Sequence, residues 1–236
     1  MVFTLTAPLT GLAGPSQDNA IPYPLEKWKG VQGKTLADSK PDFVGQKKAP
    51  EGAPNVLVIM LDDAGYSSAT SYGGVMRTPT FDRIGDEGLR YTHMSVAAVS
   101  SPTRGSLLTG YNIHQIGTGI ISEFATGYPG YNSQIDYTTP SVAKILTDNG
   151  YATAAFGKWH NTPMEEASPV GPFKSWPTGI WGFEYFWGFL GGETNQFHPL
   201  LYENTTAIET PETNADGSQF HISQGMADQA IKWLDN

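Results

Sequence analysis

Two short apolar runs, each ending in a cluster of polar residues, constrain this chain more than any other feature of its sequence. Residues 55–61 read NVLVIML, a continuous apolar run of the kind that suits a central strand buried on both faces. The run ends in Asp62-Asp63-Ala64-Gly65. Residues 151–156 (YATAAF) form a second such run and end in Gly157-Lys158-Trp159-His160. Helical patterns lie between the two. Residues 80–87 predict a short helix stopped by Gly88, and residues 89–99 read as extended. Residues 101–110 place Pro102 near a helix start and Gly110 just past its end. Residues 139–149 set Val142, Ile145 and Leu146 on one helical face, closed by Gly150. Strands alternating with helices imply an α/β domain with a largely parallel central sheet flanked by helices. Ligands of such sheets gather at the carboxyl ends of the strands, where both DDAG and GKWH fall.

Composition narrows the function classes. Among 236 residues, 39% are hydrophobic and 12% aromatic, enough for a true core. The chain carries 14 basic and 23 acidic side chains, a net charge of −9, which speaks against nucleic acid as a partner. It has no cysteine, which excludes disulfides, thiolate metal sites and cysteine nucleophiles. No stretch approaches the roughly 20 apolar residues of a membrane span. The opening residues lack a basic n-region and are interrupted by Pro8 and Gly11, a poor signal peptide. The compartment stays open between periplasmic, secreted and cytoplasmic. Residues 1–53, rich in Pro, Gly and Lys, read as an extended arm anchored by Tyr23 and Trp28 on a body spanning 54–236. Residues 223–236 predict a helix with Met226, Ala230, Ile231 and Leu234 on one face.

Four clusters carry chemistry. Asp62 and Asp63 at a strand end can converge on a hard cation, Ca²⁺ or Mg²⁺, or can simply form a solvated turn. Ser100 just before a helix N-terminus, with Arg104 one turn on, favours an oxyanion, or is an ordinary N-cap beside an exposed Arg. Lys158 and His160, if locally extended, project to the same side and offer a fixed charge and a proton donor. His198 lies in a polar loop, residues 191–199 (GGETNQFHP), after an aromatic run at 181–189 that reads as core. His93, His114 and His221 read as structural.

Together these segments resemble the sulfatase family of the alkaline-phosphatase-like superfamily. The family signature is Cys or Ser, any residue, Pro, a small residue and Arg, closing on Leu-x-x-Gly; here it stands as SSPTRGSLLTG, residues 100–110. LVIMLDDAGY precedes it, TPTFDRIGDEGLRYT spans residues 78–92, and GKWH follows at 157–160. The resemblance implies that Asp62, Asp63 and Ser100 line a divalent cation, usually Ca²⁺. It implies that Ser100 holds the nucleophile position, oxidised in this family to formylglycine by a generating enzyme. Arg104 would hold the nucleophile and screen the metal, Lys158 would contact the sulfate, and His160 would hydrogen-bond the formylglycine hydrate. His198, or Gln196 in its place, would face the leaving group. The implied reaction is hydrolysis of a small-molecule sulfate monoester. One hydroxyl of the hydrate attacks sulfur in line; the second then loses its proton and expels sulfate.

The sequence departs from the pattern twice. Position 100 carries Ser where most such sequences carry Cys, leaving a serine-type enzyme, an engineered trap or a homologue of altered activity. No later segment matches the Asp-Asn or Asp-His pair that completes the family's metal site. The expectation is therefore an incomplete, N-terminal part of a catalytic domain, partnered by the missing C-terminal part. The alternatives are a phosphonate or phosphate ester hydrolase of the same superfamily, or a non-catalytic homologue that binds anions or sulfated glycans through unmodified Ser100.

Overall fold

The computed structural model describes residues 2–4 (backbone only), 28–43, 45 and 47–235. Tyr23, with residues 5–27 of the arm expected at 1–53, lies outside the described residues. The chain divides into two compact units, residues 1–20 with 50–95, and residues 21–49 with 96–236.

In the first unit, β1 (Val2–Thr4) pairs antiparallel with β2 (Val58–Met60). The apolar run at 55–61 was expected to be a central strand covered on both faces. It is instead regular over three residues, and Leu57 is 62% exposed. Its apolar side chains supply the capacity for burial; no layer within the described residues covers both faces. Helix α1 (Pro79–Glu87) starts with Pro at its first position. Its Asp82 accepts hydrogen bonds from the Thr70 hydroxyl (2.9 and 2.8 Å) and the Ser71 hydroxyl (2.9 Å). A carboxylate in the first turn also suits the positive end of the helix dipole.

The second unit holds α2 (Ser100–Thr109), α3 (Val142–Asp148), β3 (Ala154–Lys158), β4 (Tyr185–Phe189), β5 (Leu201–Glu203), β6 (Thr206–Ile208) and α4 (Ile222–Leu234). The four strands form one sheet in the order β3-β4-β5-β6. The α/β class holds, while parallel pairing among the described residues is confined to β3 and β4. β5 and β6 are joined by a two-residue turn, which returns a strand antiparallel, and β5 also pairs antiparallel with β4 across the eleven-residue loop 190–200.

Strand β4 (YFWGF) shows why this sheet is stable. Successive side chains face opposite sides, and both sides are covered. Phe186 joins Trp159, Trp176, Trp181, Leu190 and Tyr202 in one core, and Trp187 joins Leu201, Phe220 and Ile222 in another. The aromatic run at 181–189 is therefore core. Burying one such aromatic fully contributes on the order of 2–3 kcal/mol. Ser141 caps α3 by accepting from Lys144 N–H (3.0 Å), and its own hydroxyl donates to the Trp181 carbonyl, tying the helix to the aromatic core. Along α4, Ile222 and Met226 pack on the sheet side, whereas Ile231 and Leu234 are exposed rather than on the buried face the spacing predicts. His221 caps this helix, its Nδ1 accepting from Ser223 N–H (3.3 Å).

Candidate active site

The second unit brings Ser100, Arg104, Lys158 and His160 together. Ser100 is the first residue of α2, and Val99 before it is the cap, with no side-chain cap bond. The N-cap alternative for Ser100 therefore falls. Its hydroxyl instead accepts a hydrogen bond from Arg104 Nε at 2.9 Å. Positions four apart stack on one face of a helix, which is why the signature spacing brings these two together. Arg104 reaches further, donating from Nη1 to the Lys158 carbonyl at 2.6 Å. One guanidinium thus joins the start of α2 to the end of β3, a use of its rigid fork that a lysine ammonium cannot reproduce.

The GKWH segment bends sharply. Gly157 has φ +89°, and a Cβ there would lie 2.3 Å from Met226 Sδ of α4, so both conformation and packing require glycine. His160 has φ 65°. The expectation that Lys158 and His160 share a side by virtue of an extended backbone is therefore corrected: the chain turns left-handed at His160. A non-glycine residue there costs about 1–3 kcal/mol and persists only where its surroundings over-determine it.

Those surroundings come from a short 3-10 turn, Ser122–Phe124, that no sequence motif marks. Ser122 N–H donates to the Ser101 hydroxyl (2.9 Å), and the Ser122 hydroxyl donates to the His160 carbonyl (3.1 Å). Glu123 Oε2 lies 2.7 Å from His160 Nε2, and Glu123 Oε1 accepts from Gly192 N–H at 3.1 Å. His160 N–H donates to the Leu190 carbonyl (2.9 Å). Burial of the imidazole lowers its pKa below the ordinary histidine value; Glu123 opposes this, and Lys158 and Arg104 add to it. Burial alone would raise Glu123, but bonds from His160, its own backbone and Gly192 outweigh it and hold the carboxyl below its ordinary value.

Polar atoms without a protein partner concentrate here. Trp159 Nε1, His160 Nδ1 and both side-chain heteroatoms of Asn161 are buried and unpaired among the described residues. Such orphans are rare in folded proteins and often mark sites. Ser122 and Glu123 escaped sequence reasoning because they gain meaning only from contacts made across 21 to 69 residues of chain, and Asn161 because only the fold buries it.

His198 is exposed in a turn where Asn195 Oδ1 accepts both Phe197 and His198 N–H (2.9 Å each). Among the described residues no hydrogen bond joins its ring to the four residues above. Asp62 and Asp63 belong to the first unit, follow β2 and are exposed; Asp63 has φ 52°. Two carboxylates are the right donor chemistry for a hard cation. Among the described residues no group of three or more His, Asp or Glu converges, so these two are at most part of a ligand set.

The fold is shared with solved proteins. The structure of Ps i-CgsB in complex with k-i-k-neocarrahexaose superposes with a TM-score of 0.58 at 23% identity, covering 74% of this chain and 39% of that one. The class is thus an α/β fold of the kind that structure has. The sulfatase family model matches residues 54–236, and the chain belongs to the sulfatase family. An uncharacterized sulfatase of Schizosaccharomyces pombe is 32% identical over 199 residues, covering 80% of this chain and 36% of that protein. An arylsulfatase of Klebsiella aerogenes is 29% identical over 198 residues, covering 80% and 41%. Arylsulfatase D of Homo sapiens is 32% identical over 156 residues, covering 65% and 26%. The chain therefore spans well under half the length of these relatives.

Proposed function

We propose that this chain contributes the nucleophile-bearing part of a sulfuric ester hydrolase. The observation that carries the reading is the Arg104 bridge, which fixes the Ser100 hydroxyl on one side and the Lys158 backbone on the other. A guanidinium bonded to a hydroxyl at a helix start, with Lys158 near enough to act on His160, suits a tetrahedral oxyanion and stabilises the charge that develops on it. Family membership and arylsulfatase relatives support sulfate as that oxyanion.

In this reading Ser100 is converted to formylglycine by a generating enzyme. The reason is chemical. A serine has one hydroxyl and would stall as its own sulfate ester, whereas an aldehyde hydrate has a second hydroxyl whose deprotonation expels sulfate. Arg104 holds the residue at position 100, Lys158 contacts the transferred group, and His160 hydrogen-bonds the hydrate. His198 serves the leaving-group side. Asp62 and Asp63 would supply donors to a divalent cation, Ca²⁺ first, which when bound neutralises negative charge on the ester.

Mass spectrometry of the peptide containing Ser100 tests the maturation: loss of two hydrogens supports it, and an intact serine with full turnover removes it. Rates on nitrophenyl sulfate against nitrophenyl phosphonate esters test the substrate, with sulfate expected to be faster. Calorimetric titration with Ca²⁺ should give binding heat for the wild type and none for D62N/D63N.

A further inference from the structure

We propose that Glu123 is a positioning residue for His160: it fixes the imidazole with its hydrogen on Nε2 and leaves Nδ1 as a bare acceptor within the site. The assignment rests on the hydrolase reading for its purpose, since there Nδ1 accepts a hydrogen from a hydroxyl of the matured residue 100. Its geometry stands on contacts in this chain alone.

The hydrogen-bond inventory forces the tautomer. An ionised carboxylate only accepts. Glu123 Oε1 is already engaged by Gly192 N–H (3.1 Å), and Oε2 sits 2.7 Å from Nε2, so Nε2 must carry the hydrogen. On the far side of the ring, Nδ1 is buried and has no partner among the described residues. A second hydrogen there would be an unpaired buried donor on a cation, with Lys158 from the end of β3 and Arg104 from α2 adding repulsion. The neutral Nε2–H form avoids both costs. A carboxylate that orients a histidine and sets its tautomer is an established way to prepare a general base; Glu123 does so from the rim, its side chain 34% exposed while the imidazole is buried.

The same turn holds the rest of His160 in place. Ser122, the neighbour of Glu123, binds the His160 carbonyl through its hydroxyl and the Ser101 hydroxyl through its N–H. Two consecutive residues therefore grip the backbone and the ring of His160, and register them against the first turn of α2. Gly192 closes the remaining face: a Cβ there would lie 2.7 Å from His160 Cε1, 2.8 Å from Nε2 and 2.9 Å from Glu123 Oε1. The left-handed backbone at His160, φ 65°, is the strained element that this surround over-determines.

Long-range proton–nitrogen correlation spectra of the chain with isotope-labelled histidine test the assignment directly. At about pH 7.5 the wild type should show His160 with hydrogen on Nε2 alone; hydrogen on Nδ1, as tautomer or imidazolium, overturns the assignment without any variant. In E123Q the amide oxygen can serve Gly192 only if the amide nitrogen donates to Nε2, so His160 should switch to the Nδ1–H form. A folded E123Q chain that keeps the wild-type tautomer overturns the proposal. On nitrophenyl sulfate, E123Q should lower kcat by about 10- to 100-fold with KM within about twofold, and an unchanged kcat overturns the positioning role. A complete protein carrying this segment that turns over no sulfate ester overturns the hydrolase reading alone, because the tautomer is read without turnover.

Discussion

Arg104 and Gly192 carry the sharpest consequences at the scale of single residues. Arg104 makes two bonds that diverge by direction, to Ser100 Oγ and to the Lys158 carbonyl. A lysine can make one of them. R104K should cost about 1–3 kcal/mol of stability, the range for a charged hydrogen bond, and about 10²- to 10³-fold in kcat, the range for loss of one preorganised donor. Urea unfolding and turnover of nitrophenyl sulfate measure the two separately. At Gly192, a methyl group overlaps the His160 ring. G192A should destabilise by about 1–3 kcal/mol, as overpacking does, and should move the His160 ring resonances more than those of His114, whose ring bonds to Asn112 instead.

At the scale of elements, the packing of α4 on β3 depends on a glycine. Gly157 combines φ +89° with Met226 Sδ at 2.3 Å from its would-be Cβ. G157A should destabilise by more than about 1 kcal/mol through backbone strain alone, and the steric part should be relieved by M226A in a double-mutant cycle. Denaturant midpoints of the two single variants and the double variant give the coupling. Strand β4 should be the most sensitive element of all: W187A opens a cavity between the sheet and α4 and should cost about 3–5 kcal/mol. A midpoint shift under about 1 kcal/mol would show that the cluster collapses around the loss.

For the molecule as a whole, pH dependence follows from two groups whose shifts act in the same sense. His160 is held below the ordinary histidine value by burial, so the folded chain binds fewer protons there than the unfolded chain. Its contribution is fully present above the unfolded value of about 6.5 and is lost as pH falls through the lower folded value. Glu123 is also held below its ordinary value, so its contribution is present above the unfolded carboxylate value and is lost at still lower pH. Thermal melts should therefore fall steadily below about pH 6.5, and H160N should flatten the upper part of that slope. A wild-type melting temperature independent of pH between about 7 and 5 would contradict the neutral buried imidazole.

Local rules made much of this legible from sequence. Proline at a helix start, glycine past its end and a serine cap set the limits of α1, α2 and α3 to within a few residues. The Ser100–Arg104 pair follows from helical spacing, and the place of GKWH at a strand end follows from the apolar run before it. What sequence spacing could not supply was whatever depends on partners remote along the chain. Residues 55–61 have the composition of a fully buried strand, yet composition states how much apolar surface is available and not what covers it. Lys158 and His160 looked coplanar because extended alternation was assumed, and a left-handed φ at His160 replaced it. Glu123 stands in an unremarkable polar loop, and only the fold sets it 2.7 Å from an imidazole 37 residues away. By itself the sequence determined the helices, the family signature and the pairing of Ser100 with Arg104, because these depend on separations of a few residues. Only the tertiary structure decided which carboxylate holds His160 and in which tautomer, because a hydrogen bond reads distance in space and not position along the chain.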